Sequence, residues 1–392
     1  MNLSRLLGLL AVTLMLSFSA ACGSAGESET APDDQAADTT SEEGAAEDAA
    51  ADTGAEEAAA EAPAEEAVDE GQDAPAESRL DTVLARGELY CGVNDQLPGF
   101  GSIDADGSFA GFDVDFCRAI AAAILGDAEA VTFRPLSAQQ RFTALQTGEV
   151  DVLVRNTTWT LSRDTQNGLD FGPTTFYDGQ GLMARKALGV TELADLDGAS
   201  ICVGSSTTTE RNLGDVMREA GVEYTPVVFE GADQVMGSYD SGRCDAVTSD
   251  RSALVTRKPT MENPDEHEIL AMVLSKEPLG PAVLQGDHAW ADVVNWVTFG
   301  VMQAEEFGID SSNVRDFETS ENPEIRRFLG LEDSLGTGLG IGDAFMVDVI
   351  EQVGNYAEIY DRNLGPDTPF DLARGVNSLW SDGGLLYSPP FR

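Results

Sequence analysis

The sequence predicts an α/β protein made of two units that are joined by two extended crossings of the chain. Strand and helix patterns alternate within 79–171, which favours parallel pairing through helical crossovers, and the same alternation returns within 200–250. Two extended segments interrupted by Gly or Pro, Phe176–Arg185 and Lys276–Gln285, separate these stretches from the rest. Two crossings between two units create a cleft with a hinge, a geometry suited to closing around a small solute.

The amino terminus has the composition of an export signal. Arg5 supplies the positive charge, Leu6–Phe18 the apolar run, and the small residues 19–21 precede a cleavage point. The apolar run is too short to favour a retained membrane helix. Cys22 follows directly, as in a lipoprotein signal, where the cysteine becomes the acylated first residue. Because Ser19 stands where that pattern usually carries Leu, plain secretory cleavage is the alternative.

Residues 22–78 are predicted to be a disordered acidic linker between the lipid anchor and the folded body. Between 23 and 78 the chain carries 19 acidic residues and no Lys or Arg. Such a composition buries too little apolar surface to offset chain entropy, and its charges repel one another.

The body, residues 79–392, is also acidic, with 22 basic and 50 acidic residues. This balance argues against nucleic acid, which requires clustered Lys and Arg, and it disfavours adsorption to anionic membranes. The length allows two domains with hydrophobic cores.

Cysteine and histidine usage points to disulfides rather than to metal or nucleophile chemistry. Outside the cell, an even set of four body cysteines usually forms disulfides, and their spacing is not that of a zinc site. Pairing within each predicted unit gives Cys91–Cys117 and Cys202–Cys244, with buried free thiols as the alternative. With only two histidines in the chain, we expect no metal, no cofactor and no catalytic residue.

Apolar spacing and helix-ending glycines predict the elements in order. The first unit has helices at 80–86, 114–125 and 141–147 and strands at 88–93, 131–136 and 152–154. The second unit has strands at 200–203, 225–229 and 245–250, a helix opened by the polar turn 204–210, and a helix at 232–241. After the second crossing, helices are predicted at 291–306, 322–329 and 345–363.

The stretch Asp151–Arg163 is the first candidate site. Its apolar run 152–154 suits a buried strand, and amide and hydroxyl residues follow at the strand end, where ligands bind in open α/β sheets. Arg163 offers a planar fork that matches a carboxylate. The alternative is that Arg163 pairs with Asp164 or Asp170 on the surface.

The turn that contains Thr207, Thr208 and Thr209 is the second candidate site, because a helix amino terminus presents unpaired N–H groups that suit a carboxylate. A helix-capping role alone is the alternative for these threonines. Asp250 ends the last strand of this unit.

Several motifs, taken together, resemble the polar amino-acid-binding proteins of ABC importers. They are the segments 111–115, 142–151, 158–163, 169–171 and 354–360. More narrowly, 155–163, 177–181, 276–281 and the four cysteines resemble the general L-amino-acid-binding branch. The resemblance covers nearly all of 79–392.

The resemblance implies a type II periplasmic binding protein with two α/β lobes and a two-strand hinge. The implied lobes are 79–178 plus 285–392, and 179–284 with the crossings. It also implies an extracytoplasmic or periplasmic monomeric lipoprotein that passes L-amino acids of varied side chain to the permease of an ABC transporter.

The implied site residues follow from the matching positions. Arg163, with Thr158 beside it, would bind the ligand α-carboxylate, and Asp250 would bind the α-ammonium. Asn156 is a further expected ligand-binding residue. Thr207 and Thr208 would add hydrogen bonds to the carboxylate. Asn94 and Phe100 occupy the first loop, where the family usually offers an acid and an aromatic side chain around the ligand.

Two other function classes remain as alternatives. An enzyme on the same scaffold, such as a prephenate or arogenate dehydratase, needs a further general acid or base, for which Asp95 is the one candidate. A sensor ectodomain is disfavoured because no later apolar run reaches membrane length.

Overall fold

The computed structural model describes residues 78–392. The predicted export signal, the predicted lipidation site Cys22 and the acidic tract lie outside the described residues, apart from Ser78. Among the helices of residues 78–392, none has both the length and the apolar character needed to cross a membrane.

The strands of the described chain are, in order, β1 Leu89–Val93, β2 Gln96–Leu97, β3 Gly101–Ile103, β4 Phe109–Ala110, β5 Val131–Pro135, β6 Val152–Leu153, β7 Leu169–Phe171, β8 Phe176–Arg185, β9 Ser200–Gly204, β10 Thr225–Phe229, β11 Ala246–Asp250, β12 His267–Ile269, β13 Ser275–Leu279 and β14 Ala282–Leu284.

The α-helices are, in order, α1 Arg79–Arg86, α2 Phe112–Leu125, α3 Arg141–Gln146, α4 Leu161–Thr165, α5 Thr208–Ala220, α6 Ala232–Asp240, α7 Arg251–Arg257, α8 His288–Phe307, α9 Pro323–Phe328, α10 Leu335–Gly338, α11 Phe345–Gln352 and α12 Tyr356–Asn363. Short 3-10 helices occupy Lys186–Leu188, Leu193–Leu196, Lys258–Thr260, Pro264–Glu266, Val314–Thr319, Gly375–Asn377 and Trp380–Asp382.

Two mixed sheets organise the chain. In the first, with order β5-β1-β6-β14-β7, β1 pairs in parallel with β5 and β6, and β14 pairs antiparallel with β6 and β7. In the second, with order β10-β9-β11-β8-β12, the first three strands are parallel, and β8 is antiparallel to its neighbours. The alternation of strands and helices therefore produced the predicted parallel pairing in both sheets.

The two crossings of the chain lie side by side. Strand β13 pairs antiparallel with β8, so that Leu279 stands opposite Phe176 and Ser275 opposite Gln180. The chain then turns at 280–281, and β14 joins the first sheet rather than remaining in the extended crossing that the sequence predicts up to Gln285. The fold is thus an α/β architecture of two lobes with a two-strand hinge.

The core around the first sheet is rich in aromatic side chains. Phe112 on α2 makes edge contacts with Phe100, Phe176, Tyr356 and Tyr360 at ring-centroid distances of 5.7–6.2 Å. Each of these side chains is almost completely buried. Helices α2 and α12 are thereby fixed against the chain where it enters β8, which gives the hinge a rigid base.

Both faces of the second sheet are covered. Along β8 successive side chains point to opposite faces, so that Leu182 packs with Leu213 and Met217 of α5, while Met183 packs with Tyr239 and Leu254. A sheet covered on both faces explains why its strands contain continuous apolar runs.

Both favoured disulfides are present. Cys91 on β1 is joined to Cys117 on α2, and Cys202 on β9 is joined to Cys244 just before β11. The first disulfide joins a strand to a helix, and the second joins two neighbouring segments of the second sheet. The alternative of free thiols is therefore not observed for these four cysteines.

The predicted helix 345–363 is instead two helices, α11 and α12. Gly354 lies between them with φ of +97°, a conformation that L side chains rarely adopt, so the first helix ends there. Asn355 then caps α12: its side chain accepts from the Glu358 N–H at 3.0 Å, and the Glu358 carboxylate accepts from the Asn355 N–H at 2.9 Å. The apolar period spans both helices, which is why the sequence pattern missed the break.

Candidate functional site

Polar side chains converge at the carboxyl edge of the first sheet. Asn94 follows β1, Arg141 begins the helix after β5, and Asn156 follows β6. Because β5, β1 and β6 are parallel neighbours, the loops that follow them meet at one edge. Asn156 has φ of +30°, a left-handed conformation that asparagine tolerates better than most residues.

The second sheet repeats this arrangement. Thr207 follows β9, Glu230 follows β10, and Asp250 is the last residue of β11. These three strands are also parallel neighbours. The two carboxyl edges face each other across a cleft, since Asn156 Nδ2 lies 3.5 Å from Asp250 Oδ2 and Gln139 Nε2 donates to Ser205 Oγ at 3.0 Å.

Two adjoining cavities occupy the cleft. The first, of about 100 Å³, contains Asn94, Arg141, Arg155, Asn156, Thr158 and Asp250 in its wall. The second, of about 280 Å³, is lined by Phe142, Ser162, Arg163, Arg211 and Asn212. Thr207 and Thr208 belong to both walls. A space of this size, with charged groups on its walls, suits a small polar solute.

Asp250 is a buried carboxylate with no cationic side-chain nitrogen within 4.0 Å among residues 78–392. Its exposed fraction is 7%, and its one side-chain contact within the described residues is the long Asn156 hydrogen bond. Burial raises the pKa of Asp250 well above its ordinary value, and the carboxylates of Asp178 and Glu277 raise it further. A ligand ammonium would supply the missing positive charge.

Arg163 is a buried guanidinium without an anionic partner in the described part of the chain. Its Nη1 donates to the Thr158 carbonyl at 2.7 Å, and within residues 78–392 no carboxylate oxygen lies within 4.0 Å of it. Burial lowers the pKa of Arg163 to about 10, whereas Glu277 and Asp250 act in the opposite direction. The alternative pairing with Asp164 is not observed, because Asp164 accepts instead from Trp159 Nε1 at 2.9 Å.

Thr158 and Thr208 meet across the cleft on a carboxylate that the sequence did not indicate. Both hydroxyls donate to Glu277 Oε2, at 2.6 and 2.9 Å, and Asn212 Nδ2 donates to Glu277 Oε1 at 2.8 Å. Glu277 is fully buried on β13. The only signal for Glu277 in the sequence was an acid just before Pro278 in a crossing strand, and the sequence does not show which side chains lie beside it.

Thr207 both caps a helix and lines the cleft. Its hydroxyl caps α5 by accepting from the Glu210 N–H at 3.1 Å, so the capping interpretation is correct for this residue. It also lies in the wall shared by both cavities. The N–H groups of the first turn of α5 have no intrahelical acceptor, and the cleft lies at this end of the helix.

Asn94 and Asn156 connect the two predicted loops. Asn94 Nδ2 donates to Asn156 Oδ1 at 3.1 Å, and the Asn156 N–H donates to Asp113 Oδ2 at 2.6 Å. Burial raises the pKa of Asp113 to about 7, while the Asn156 N–H and Arg155 oppose the rise. Asn94 therefore lines the cleft as predicted, with an amide in the place where the family usually has an acid.

Phe100 requires a correction. Its side chain is completely buried, packs against Phe112 and Phe176, and is absent from the walls of both cavities. Phe100 immediately precedes β3, and at this position its ring faces the hydrophobic core instead of the cleft. We therefore remove Phe100 from the candidate site.

Arg141 and Arg155 are cleft residues that the sequence did not single out. Arg155 Nε donates to the Leu136 carbonyl at 2.6 Å, whereas the one side-chain hydrogen bond of Arg141 within residues 78–392 is long, from Nη1 to Thr157 Oγ1 at 3.4 Å. The Arg141 guanidinium also lies over the Phe142 ring, 4.8 Å from its centroid. Burial lowers the pKa of Arg155 to about 10 and that of Arg141 well below its ordinary value, with Arg163 adding to the effect on Arg141. A usable signal existed, because Arg141 follows a strand parallel to β1 and therefore lies at the same sheet edge.

The arrangement can hold a solute that carries both charges. The carboxylate of Asp250 ends β11 of the second sheet, whereas the guanidinium of Arg163 lies on α4, which follows β6 of the first sheet. The hydroxyls of Thr207 and Thr208 belong to the walls of both cavities. Within residues 78–392 no group of three or more His, Cys, Asp or Glu side chains is placed to hold a metal ion.

Comparison with known proteins gives consistent matches. The family model of bacterial extracellular solute-binding proteins, family 3, matches residues 89–308. The general L-amino acid-binding periplasmic protein AapJ of Rhizobium johnstonii is 51% identical over 324 residues, which cover 82% of this chain and 95% of that protein. The glutamate/glutamine/aspartate/asparagine-binding protein BztA of Rhodobacter capsulatus is 48% identical, covering 81% of this chain and 95% of that protein.

A solved structure agrees with these sequence matches. The ABC transporter periplasmic binding protein from Brucella ovis, solved with glutathione bound, has 50% sequence identity and a TM-score of 0.79. The match covers 81% of this chain and 100% of that chain.

Proposed function

This chain belongs to family 3 of the bacterial extracellular solute-binding proteins, and from that premise we propose that it captures free L-amino acids outside the cytoplasm and delivers them to an ABC permease. The observation that carries the proposal is the pair Asp250 and Arg163, two buried charges of opposite sign, each without a counterion among the described residues. The α-ammonium and α-carboxylate of an amino acid supply both counterions at once.

The physical reason is the cost of leaving a buried charge unpaired. Removing an ion from water costs several kcal/mol unless a partner and hydrogen bonds replace the solvent. In the proposed complex, Asp250 binds the ammonium, while Arg163 binds the carboxylate together with the first turn of α5. Thr158 and Thr208 join them by turning their hydroxyl donors from Glu277 to the ligand. Asn94 and Asn156 border the ligand on the side of the first sheet.

Broad specificity is part of the proposal. Ser137–Gln140 forms the loop before α3, a position where related proteins often carry an aromatic side chain over the ligand. Its absence leaves room for side chains of different size. AapJ is named as a general L-amino-acid binder, which supports the same conclusion.

We also propose the cellular arrangement that the sequence indicates. Export through residues 1–21, acylation of Cys22 and a linker up to residue 78 would place a monomeric body near the outer face of the membrane. The proposed lobes are 79–178 with 285–392, and 179–284. The close relatives are named as binding proteins, and we propose no catalytic activity for this chain.

The test is calorimetry of the purified protein against the twenty L-amino acids, with prephenate added separately and its turnover monitored. We expect saturable binding of several L-amino acids and no turnover. Failure to bind any amino acid, or conversion of prephenate, would contradict the proposal.

A contact between the lobes yields a prediction about closure. Arg257, which is 7% exposed, donates from Nη2 to the Gln96 carbonyl of the other lobe and from Nη1 to Asp233 at 3.0 Å. Replacing Arg257 with Met should weaken amino-acid binding about 10-fold, mainly through faster dissociation, because a buried charged hydrogen bond of the closed form is lost.

Stopped-flow dissociation and small-angle scattering would measure this effect. The matched control is Arg243→Met, an exposed arginine of the same lobe whose guanidinium contacts the Phe229 ring. An unchanged dissociation rate in Arg257→Met would show that this contact does not stabilise the closed form.

A further inference from the structure

Glu277 is a buried carboxylate whose hydrogen bonds come from both sides of the cleft. Its Oε2 accepts from the Thr158 hydroxyl at 2.6 Å and from the Thr208 hydroxyl at 2.9 Å. Its Oε1 accepts from Asn212 Nδ2 at 2.8 Å and from the Ser275 hydroxyl. The residue is 1% exposed and lies behind the walls of the two cleft cavities. These donors satisfy the carboxylate without any ligand.

The fold brings the two threonines to Glu277 from different elements. Thr158 follows β6 and pairs with Leu279 of β13 in an isolated antiparallel bridge, which holds its side chain beside the same strand. Thr208 is the first residue of α5, and the two hydroxyl oxygens are 3.4 Å apart. Glu277 thus occupies a position between a strand end and a helix amino terminus, which is where a bound carboxylate is expected.

The charges around Glu277 come from three other elements. Asp178 stands directly opposite it on β8, and Asp250 ends β11. The neighbouring cations, Arg163 and Arg211, lie in the wall of the larger cavity, and no Lys or Arg nitrogen of residues 78–392 lies within 4.0 Å of Glu277. Burial lowers the pKa of Arg163, and Glu277 opposes this effect more strongly than Asp250 does. Glu277 therefore supplies part of the negative charge that Arg163 would otherwise receive from a ligand.

The donors that Glu277 occupies are the ones assigned above to the ligand α-carboxylate. A hydroxyl has one proton, so Thr158 and Thr208 cannot each donate to Glu277 and to the ligand at the same time. Binding of the ligand carboxylate therefore removes two hydrogen bonds from Glu277 and brings a second anion towards it. Both effects oppose binding, because a buried anion is stabilised by its donors and destabilised by a like charge.

We propose that Glu277 is a resident competitor of the ligand α-carboxylate, which holds the Thr158 and Thr208 hydroxyls in the empty cleft and thereby limits affinity and speeds release. This inference rests on the proposed function, because it takes Arg163 and the two threonines as the groups that bind the α-carboxylate. It also predicts an unusual sign. Neutralising a buried residue that only supports the site weakens binding, whereas neutralising a competitor tightens it.

The experiment compares the full protein with Glu277→Gln by calorimetry and stopped-flow dissociation. The ligands are whichever of the twenty L-amino acids binds most tightly and its α-carboxamide, which keeps the ammonium and lacks the charged carboxylate. Glutamine preserves the shape of the side chain, and Asn212 and Ser275 can both accept hydrogen bonds from its amide. The matched control is Glu268→Gln, an exposed acid on β12 of the same sheet.

We expect Glu277→Gln to bind the amino acid about 10-fold more tightly, mainly through slower dissociation, because its hydroxyl donors are released from a charged acceptor. The α-carboxamide should gain nothing, since it brings no anion towards position 277. Its affinity should even fall slightly, because Glu277 adds to the negative potential beside Asp250. Glu268→Gln should leave both affinities unchanged.

A crystal structure of the unaltered protein with the amino acid bound provides a second measurement that needs no variant. We expect at least one of the two threonine hydroxyls to lie within hydrogen-bond distance of the ligand carboxylate and outside that distance from Glu277. If both hydroxyls remain on Glu277 while the carboxylate is bound, the competition does not exist.

Three results would overturn the inference while leaving the proposed function intact. Weaker binding of the amino acid by Glu277→Gln would make Glu277 a supporting residue, and an unchanged affinity would show that it does not compete. Equal gains for the amino acid and its α-carboxamide would show that the effect does not involve the carboxylate. If the unaltered protein binds no amino acid, the proposed function fails, and this inference fails with it.

Discussion

Replacing Asp250 with asparagine is expected to weaken the binding of every L-amino acid by on the order of 100-fold or more. The carboxylate is 7% exposed and is the proposed partner of the ligand ammonium. Without its negative charge, the ammonium enters a buried site that offers an amide in place of an ion, and breaking a buried ion pair in this way typically costs about 3–5 kcal/mol.

The measurement is calorimetry with each amino acid and with its analogue that lacks the α-amino group. Asp250→Asn should abolish the preference for the amino acid over the analogue, which assigns the loss to the ammonium itself. Asp245→Asn is the matched control, because Asp245 immediately precedes the opposite end of β11, where its carboxylate accepts from the Ser200 N–H at 2.8 Å. A preference that survives in Asp250→Asn would refute the assigned role.

Replacing Arg163 with methionine is expected to reduce affinity for all L-amino acids by a similar factor, on the order of 100-fold. Its side chain is 6% exposed, and Nη1 is already held by the Thr158 carbonyl at 2.7 Å. That contact orients the fork before the ligand arrives, so the remaining donors are available for the α-carboxylate without further loss of side-chain freedom.

Arg163→Lys should restore only part of the affinity, because an ammonium lacks the planar pair of donors. The informative comparison is between an amino acid and its α-carboxamide: the unaltered protein should prefer the acid, and Arg163→Met should not. Arg218→Met, at an exposed position near the end of α5, serves as the control for arginine removal. If Arg163→Met still prefers the acid, another group holds the α-carboxylate.

The Asp250 and Arg163 variants also distinguish recognition of the amino-acid head from recognition of the side chain. Their predicted losses apply to the amino-acid head and should therefore be uniform across side chains. A uniform effect from both residues would assign them to the head of the ligand rather than to its side chain.

The sequence predicted the elements that depend on local pattern. Buried strands such as β1 and β9, the parallel order of their neighbours, and the helix ends at Gly87 and Gly126 follow from apolar period and backbone freedom, which a linear chain displays directly. The break at Gly354 was missed because the apolar period of α11 continues into α12, and only the left-handed φ of this glycine and the capping of Asn355 separate them.

The candidate site was predicted only where a motif or a strand end marked it. Asn94, Asn156 and Thr207 lie in loops directly after β1, β6 and β9, and Asp250 ends β11, so the rule that ligands meet the carboxyl edge of parallel strands was sufficient. The same rule applied to β5 would have indicated Arg141. Phe100 is the converse case, since a position in the right loop did not decide whether the ring faces the cleft or the core.

By itself, then, the sequence determined the α/β class, the acidic body and the strand ends that carry polar residues, because composition and local pattern are displayed along the chain. It favoured the two cysteine pairs, and the tertiary structure decided them. Only the tertiary structure decided which charges lack a partner. Glu277 is more than 100 residues from Thr158 in the chain, yet the Glu277 carboxylate accepts a hydrogen bond from the Thr158 hydroxyl at 2.6 Å. Arg141 and Asp250, by contrast, have no ionic partner within 4.0 Å among the described residues. Pairing of buried charges is settled by three-dimensional distance and by the exclusion of water, and neither quantity can be read from spacing along the chain.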